Sequence, residues 1–313
     1  MNFQQLRIIR ETVRQNFNLT EAANALFTSQ SGVSKHIKDL EDELGIELFV
    51  RRGKRLTGLT EPGKELAEIV ERMLMDARNI KRLAEQFSNR DEGRLHIATT
   101  HTQARYMLPP VVARFKQEFP RVHLVLHQAN PAEIVTLLNR GEADVGIATE
   151  ALEGVGSLAS FPYYSWHHSI IVPDDHSLAQ VEQPTLEQIA AYPIITYHEG
   201  YTGRASIDRS FAEAGVVPDI VMAALDADVI KSYVELGLGI GIIAAMAFNA
   251  QKDAGLKLID GSHLFVQNTT RIAVRRGHYL RGYAYRFIEY CSAELQEPLV
   301  KAALAPGKDL EIE

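Results

Sequence analysis

Residues 19–44 contain two short helical segments separated by a tight break, and this arrangement constrains the fold more than any other feature of the chain. Thr20 is a candidate N-cap for an alanine-rich first helix that runs to Leu26, and Ser29 is a candidate N-cap for the second helix. In the second helix the apolar residues recur at steps of four, three and four: Val33, Ile37, Leu40 and Leu44. The pattern predicts a helix-turn-helix, and the alternative is an ordinary helical hairpin with a solvated outer face.

Polar and basic side chains dominate the start of the second helix and the face opposite its apolar stripe. Glutamine can pair with adenine, serine can donate or accept a hydrogen bond, and lysine can reach phosphate or guanine. We therefore predict that this face enters the major groove of double-stranded DNA. The candidate contacts are Thr28, Ser29, Gln30, Ser31, Ser34, Lys35 and Lys38.

Two predicted strands, 48–50 and 56–57, enclose a basic turn directly after the helix pair. Such a loop is often solvated surface, but its position beside a recognition helix predicts a wing that contacts DNA phosphates or the minor groove. Its candidate contacts are Arg51, Arg52, Lys54 and Arg55.

The distribution of charge supports a division of the chain. Residues 1–60 hold nine basic and seven acidic residues, net +2, whereas the remaining 24 basic and 33 acidic residues give net −9. Only the N-terminal part tolerates a polyanion, which argues against a nucleoid protein that coats DNA along its whole length.

Length and composition predict two or three domains with proper cores, since 46% of the 313 residues are hydrophobic. The chain has no continuous apolar run of membrane-spanning length and no signal-peptide pattern at its start, so we expect a soluble, cytoplasmic protein without membrane contact. The single cysteine, Cys291, falls in a predicted C-terminal helix and is interpreted as a small buried hydrophobe rather than a redox sensor.

A long helix is predicted over residues 60–89, with Thr60 as its cap and Pro62 in its first turn. Its apolar residues follow a heptad pattern: Leu66, Val70, Met73, Ala77, Ile80, Ala84 and Phe87. Such a narrow stripe beside a DNA-binding unit predicts a dimerisation helix that pairs two copies; the alternative is that the stripe is buried within its own domain. The segment Asn89–Gly93 is predicted to end the helix as a hinge.

Residues 94–300 alternate strand-like and helix-like segments. The pattern predicts α/β units with parallel sheets, in which ligands bind at the carboxyl ends of strands. The strand candidates are 94–99, 122–127, 143–148 and 169–173, and the helix-length segments between them include 107–119 and 132–141.

Three predicted strand-to-helix junctions are rich in polar groups: 99–103, 201–204 and 226–228. Each alone is typical of helix capping, but together their hydroxyls and free amides suit a small anion or a carboxylate. Thr149, at the end of a further strand, completes this candidate pocket.

Other patterns do not support catalysis. The glycines of 237–241 lack dinucleotide-loop spacing, and the histidines lack Cys or Glu partners at metal-ligand spacing. No nucleophile with an evident base is present. We therefore predict no catalytic residue, metal or cofactor, leaving an enzyme or solute carrier on the same scaffold as the less favoured reading.

Several segments resemble LysR-type transcriptional regulators: Thr-Ser-Gln-Ser-Gly-Val-Ser-Lys-His-Ile at 28–37, the stretch 40–51, and Leu-Thr-Glu-Pro-Gly at 59–63. The sensor half, with Ile-Ala-Thr-Thr-His-Thr-Gln at 97–103, the stretch 148–152, Thr-Gly-Arg at 202–204 and the stretch 226–231, is similar to the CysB/Cbl group of sulfur-metabolism regulators. The resemblance covers the chain to about residue 295.

This resemblance implies an α/β protein overall. A winged helix-turn-helix (1–59) and a linker and dimerisation helix (60–89) would precede an effector-binding domain (90–313) like type 2 periplasmic binding proteins. That domain would comprise lobe I (about 93–161 and 267–300), lobe II (about 162–266) and a C-terminal tail (301–313). The family usually forms tetramers and contacts RNA polymerase, although the sequence leaves homodimer and homotetramer open.

The resemblance also implies an effector in the cleft between the lobes: N-acetylserine, O-acetylserine, sulfate or adenylyl sulfate. The contacts that match by motif are Thr100, Thr102, Gln103, Thr149, Trp166 and Thr202. His167-His168, beside Trp166, matches the Cbl branch better, which leaves the identity of the effector open together with a regulator of another pathway. The operator sequence and the choice between activation and repression are equally open.

Overall fold

The computed structural model describes residues 1–53, 55–88 and 91–305. The chain divides into two compact units, Met1–Glu85 and Gln86–Glu313. No helix in the described part of the chain combines the length and the apolar character needed to cross a membrane.

The first unit contains three helices and a hairpin, followed by most of a long helix. In chain order these are α1 (Phe3–Arg14), α2 (Leu19–Ala25), α3 (Gln30–Leu44), β1 (Phe49–Arg52), β2 (Arg55–Leu59) and α4 (Glu61–Ser88). The strands β1 and β2 pair antiparallel. The predicted winged helix-turn-helix is therefore confirmed, and α1 is an element that the sequence reasoning did not identify.

Side-chain caps define where these helices begin. The Ser29 hydroxyl accepts the Gly32 N–H at 3.1 Å, as predicted, and the Thr60 hydroxyl accepts the Gly63 N–H at 3.1 Å. The prediction for α2 was wrong by two residues, because its N-cap is Asn18, whose side chain accepts the Thr20 N–H at 3.0 Å. An Asn side-chain oxygen satisfies the same free amides that the Thr20 hydroxyl was expected to satisfy.

The core of the first unit lies where α1, α2 and α3 meet the hairpin. Its buried members include Ile8, Ile9, Val33, Ile37, Leu40, Leu48 and Phe49. Leu44 was predicted to continue the buried stripe, but it is 39% exposed. It is the last residue of α3, and Gly45 turns the chain away in the left-handed region at φ 70°, so the stripe ends at Leu40.

The second unit contains two mixed layers of strands and helices. Its strands are β3 (Gly93–Thr99), β4 (Val122–Gln128), β5 (Val145–Ala148), β6 (Leu158–Trp166), β7 (His168–Pro173), β8 (Ile194–Tyr197), β9 (Ile220–Ala224), β10 (Ile240–Ala244), β11 (Leu256–Ile259) and β12 (Asn268–Arg275). Its helices are α5 (Leu108–Glu118), α6 (Pro131–Arg140), α7 (Leu186–Ala190), α8 (Arg204–Glu213), α9 (Ala227–Glu235), α10 (Gly282–Cys291) and α11 (Glu297–Leu304).

The strands form two five-stranded sheets, with the orders β4-β3-β5-β12-β6 and β11-β7-β10-β8-β9. We call the first sheet with its helices lobe I and the second lobe II. The expectation of parallel sheets was only partly right. Strand β3 pairs parallel with β4 and β5, and β8 with β9 and β10, but β12 runs antiparallel to β5 and β6, and β7 antiparallel to β10 and β11. The antiparallel strands adjoin the two crossings between the sheets, 166–168 and 259–268, where no helix returns the chain to the same end of its sheet.

This topology positions the polar junctions. The carboxyl ends of β3 and β5 meet at one edge of the first sheet because the two strands are parallel neighbours. The carboxyl ends of β8 and β9 do the same in the second sheet. Ligand sites of α/β sheets lie at such edges.

Candidate functional site

The residues after β3 turn into the protein instead of pointing into solvent. Thr100, Thr102 and Gln103 are all buried. Gln103–Met107 forms a π-helical turn before α5 begins. Such turns are rare and occur mostly at functional sites, since the extra residue redirects side chains. Thr100 and Thr102 precede this turn and Gln103 begins it, so all three are buried where a solvated helix end would otherwise be expected.

Thr270 on β12 connects three of the predicted effector contacts. Its Oγ1 accepts hydrogen bonds from Gln103 Nε2 at 3.3 Å and from Trp166 Nε1 at 3.0 Å, and it lies 3.2 Å from Thr149 Oγ1. The Tyr164 hydroxyl donates to Gln103 Oε1. Sequence reasoning missed Thr270 and Tyr164, because a hydroxyl within a strand carries no local signal for such a role.

Thr202 and Gly203 bring lobe II into contact with the polar residues that follow β3 in lobe I. Thr202 Oγ1 lies 3.3 Å from Thr102 Oγ1, so the first and second predicted junctions meet. Both residues are in the left-handed region, with φ 42° for Thr202 and 70° for Gly203. A β-carbon on Gly203 would lie 2.7 Å from His168 Cε1, so this turn requires glycine for conformation and for space. Unusual backbone of this kind clusters at ligand clamps.

His168 supports this turn from β7. Its Nε2 lies 2.9 Å from the Thr202 carbonyl oxygen and donates to it. The ring is fully buried, and burial lowers its pKa to about 4 because a charged imidazolium is poorly solvated there. A neutral His168 thus fixes the backbone that presents Thr202.

Glu150 is a further residue that sequence reasoning missed. It follows Thr149, and its Oε1 accepts the Gly203 N–H from lobe II. Its Oε2 is buried without a hydrogen-bond partner in the described structure. Burial raises the pKa of this carboxyl group, and the Gly203 hydrogen bond opposes that shift only in part.

A cavity of about 270 Å³ lies beside these residues. Thr100 and Thr202 line it together with His101 and Glu133. Asp226 lines it from the third predicted junction, and its side chain caps α9 by accepting the Val229 N–H at 2.9 Å. All three junctions therefore contribute to one polar cleft between lobe I and lobe II.

One group near this cleft has metal-ligand residue types. Single ligand atoms of His101, Asp226 and Asp228 lie within 4.8 Å of one another. However, Asp228 accepts from the Tyr106 hydroxyl at 2.8 Å and lies 3.2 Å from both Arg105 Nε and Lys231 Nζ. Two cations already compensate this carboxylate and would repel a metal ion, so the arrangement fits an ion-paired network better than a metal centre.

Most of the predicted DNA contacts are exposed in the first unit. Ser34 is half-buried; the exposed members are Thr28, Ser29, Gln30, Ser31, Lys35, Lys38, Arg51, Arg52 and Arg55. Lys54 falls outside the described residues. Phe27, in the turn before α3, is 98% exposed at φ 52°, and sequence reasoning did not single it out.

A buried carboxylate fixes the wing to the helix. Glu41 on α3 accepts the N–H groups of Leu48 and Phe49 at 2.8 and 3.2 Å. Its other oxygen pairs with Arg51 at 2.7 Å, so Arg51 is partly engaged within the protein. Arg52 and Arg55 lie nearer the tip of the hairpin.

The predicted heptad stripe of α4 has two different environments. Val70 is buried and packs with Leu74 against Leu6 of α1. Farther along, Ile80 is 68% exposed and Phe87 is 83% exposed in the single chain. Only the second half of the stripe is available for contact with another copy.

The chain matches two family models. Residues 3–64 match the bacterial regulatory helix-turn-helix protein, lysR family, and residues 88–296 match the LysR substrate binding domain. The chain is similar to the HTH-type transcriptional regulator SsuR of Burkholderia cenocepacia, with 58% identity over 97% of this chain and 99% of that protein. It is also similar to the HTH-type transcriptional regulator cbl of Escherichia coli, with 54% identity over 100% of this chain and 99% of that protein.

A solved structure resembles the second unit. The crystal structure of the cofactor-binding domain of the Cbl transcriptional regulator has 49% sequence identity and a TM-score of 0.66, covering 68% of this chain and 93% of that chain. These matches agree with the winged head and the two-sheet unit described above. The chain belongs to the LysR family of transcriptional regulators and is not an enzyme.

Proposed function

We propose that this protein regulates genes of sulfur assimilation, cysteine biosynthesis or sulfonate utilisation in response to a small effector bound between lobe I and lobe II. The effector is a sulfur-related anion or an acetylserine: sulfate, adenylyl sulfate, N-acetylserine or O-acetylserine. The observation that carries the proposal is that Thr102 meets Thr202 between the lobes and that Thr100 and Thr202 line one cavity. The other three motif-matched residues, Gln103, Thr149 and Trp166, are linked through Thr270. The likeness to SsuR and Cbl supports the choice of pathway.

The chemistry of the cluster suits an oxygen-rich anion. Thr100 and Thr202 line the cavity, and threonine hydroxyls donate hydrogen bonds to anionic oxygens. The N-terminus of α8 adds a partial positive charge directly behind Thr202. An anion held by both lobes would favour their approach, because it binds that arrangement better than an open one.

DNA recognition is assigned to α3 and the wing. Gln30, Ser31 and Ser34 would read base edges, and Lys35 with Lys38 would contact phosphates or guanine. We assign the exposed ring of Phe27, in the turn before the recognition helix, to contact with a thymine methyl group.

The exposed half of the α4 stripe would pair two copies, so that two heads read a pseudo-palindromic site. Effector binding would then alter the spacing of the heads, the bend of the DNA and the contact with RNA polymerase. Both a homodimer and a homotetramer are compatible with this scheme.

The DNA assignment is tested with Lys35→Ala and a matched control, Lys81→Ala, an exposed lysine on α4. Affinity for promoter DNA is measured over a range of salt concentrations. The slope of log affinity against log salt concentration should become shallower by about one for each Lys35 phosphate contact that Lys35→Ala removes. Lys81→Ala should behave like the wild type. Equal slopes in all three proteins would remove Lys35 from the interface.

A further inference from the structure

Glu150 places a carboxylate at the N-terminus of α8, where an anion would be expected. It extends from the end of β5 in lobe I and accepts the N–H of Gly203 at the start of α8 in lobe II. The first amides of a helix have no partners within the helix and attract anions. The described chain therefore supplies its own carboxylate to this amide.

The Gly203 N–H stabilises the Glu150 carboxylate only in part. Oε2 of Glu150 is buried without a hydrogen-bond partner, and Glu150 forms no ion pair within the described residues. A buried carboxylate oxygen without a partner is costly, so the contact stores free energy that a better-matched ligand can release.

Arginines on the neighbouring elements α8 and β12 form ion pairs with carboxylates other than Glu150. On α8, Arg204 pairs with Asp208 at 2.7 Å and donates to the Tyr197 carbonyl oxygen. On β12, beside β5, Arg271 pairs with Glu153 at 3.1 Å.

Two histidines lie near this contact, in addition to Glu133 and Asp226 of the cavity lining. On β7, His168 is neutral and donates to the Thr202 carbonyl oxygen. On the other side, His101 lines the cavity next to Thr100.

We propose that Glu150 is an internal competitor of the anionic effector: its carboxylate holds the Gly203 N–H in the effector-free chain, and an anion binds by displacing that carboxylate from the amide. This inference rests on the effector site proposed above. It makes Glu150 the residue that sets the effector concentration at which the regulator responds.

The expected effect on affinity follows from competition. If the Glu150 carboxylate holds the amide about nine-tenths of the time and a neutral side chain at the same position holds it only weakly, the wild type binds an anion about tenfold less tightly than the neutral variant. The direction of the pH dependence follows from charge. The ionised competitor opposes the anion, so binding tightens as falling pH protonates a carboxyl group whose pKa burial has raised.

The test is calorimetric titration of the full chain with sodium sulfate at constant ionic strength, between about pH 6 and about pH 8.5. Glu150→Gln keeps an oxygen that can accept the Gly203 N–H but removes the charge. We expect Glu150→Gln to bind sulfate about tenfold more tightly than the wild type at the upper pH, with a shallower pH dependence. The pKa of His168, about 4, lies below this range.

Two further variants make the result specific. Glu142→Gln removes the same charge from an exposed side chain of lobe I, leaves the Arg271–Glu153 ion pair intact and should bind like the wild type. Glu150→Asp keeps the charge and should keep the pH dependence. Urea unfolding of each variant checks that the fold is retained.

Wild-type affinity and pH dependence in Glu150→Gln would overturn the inference, and weaker binding would show that Glu150 assists the effector instead. Sulfate binding that is detectable for Glu150→Gln but not for the wild type would support the inference most strongly. Absence of sulfate binding in both proteins would refute the inference, and if the other three candidate effectors also failed to bind, the effector site itself would be refuted.

Discussion

Replacing Thr270 with valine should destabilise the second unit, because its hydroxyl is the shared partner of buried polar groups. Valine has nearly the same shape, so the change removes the oxygen without opening a cavity. Two buried donors, Gln103 Nε2 and Trp166 Nε1, then lose their acceptor. Each unsatisfied buried donor costs about 1 to 3 kcal/mol. We therefore expect Thr270→Val to lower the free energy of unfolding by about 2 to 6 kcal/mol.

The assay is urea unfolding followed by the fluorescence of Trp166, which is the single tryptophan of the chain and donates to Thr270 itself. The matched control is Thr269→Val on the same strand. The Thr269 hydroxyl lies 3.1 Å from the Ser165 hydroxyl at the surface, so its loss should cost less than about 0.5 kcal/mol. The two variants make the same change in strand propensity, and their difference isolates the buried cluster. Unfolding of both at the same urea concentration would refute the reasoning.

Two other predictions concern Gly203 and α4. Gly203→Ala should unfold at a lower urea concentration than Gly215→Ala. Both positions have φ near 70°, but of the two only the β-carbon at 203 meets another atom, His168 Cε1 at 2.7 Å. Equal stability of the two variants would mean that the close contact at 203 does not destabilise the protein. Ile80→Glu should weaken self-association in sedimentation measurements, because it places a charge on the exposed half of the α4 stripe. The control Lys81→Glu should not weaken it. The same molecular mass for both variants would exclude the stripe from the interface.

Local patterns were sufficient to predict most of the winged helix-turn-helix. The cap at Ser29, the stripe Val33, Ile37 and Leu40, and the basic hairpin depend on residues within a few positions of one another, where helical and strand periods apply directly. Helix α1 was missed although its capping box, Asn2 with Gln5, is visible in the sequence.

Local sequence patterns predicted only part of the cleft. Strand-to-helix junctions identified the threonines, because polar residues after an apolar strand are a local signal. Thr270 and Glu150 gave no such signal. Thr270 meets Gln103 across 167 positions of sequence, and Glu150 meets Gly203 across 53, so both roles are set by the packing of the two sheets. The antiparallel strands escaped prediction for the same reason, because crossings between sheets depend on topology and not on composition.

The central claim is that the cleft binds a small effector through hydroxyls of both lobes. It is tested most directly by calorimetric titration of the full chain with sulfate, N-acetylserine, O-acetylserine and adenylyl sulfate, comparing the wild type with Thr100→Val and Thr99→Val. Thr100 lines the cavity, whereas the Thr99 hydroxyl is buried next to it without a hydrogen-bond partner in the described structure. The account predicts that at least one compound binds, that Thr100→Val weakens it by about tenfold or more, and that Thr99→Val does not. Undiminished binding by Thr100→Val, or no binding of any of the four, would contradict it.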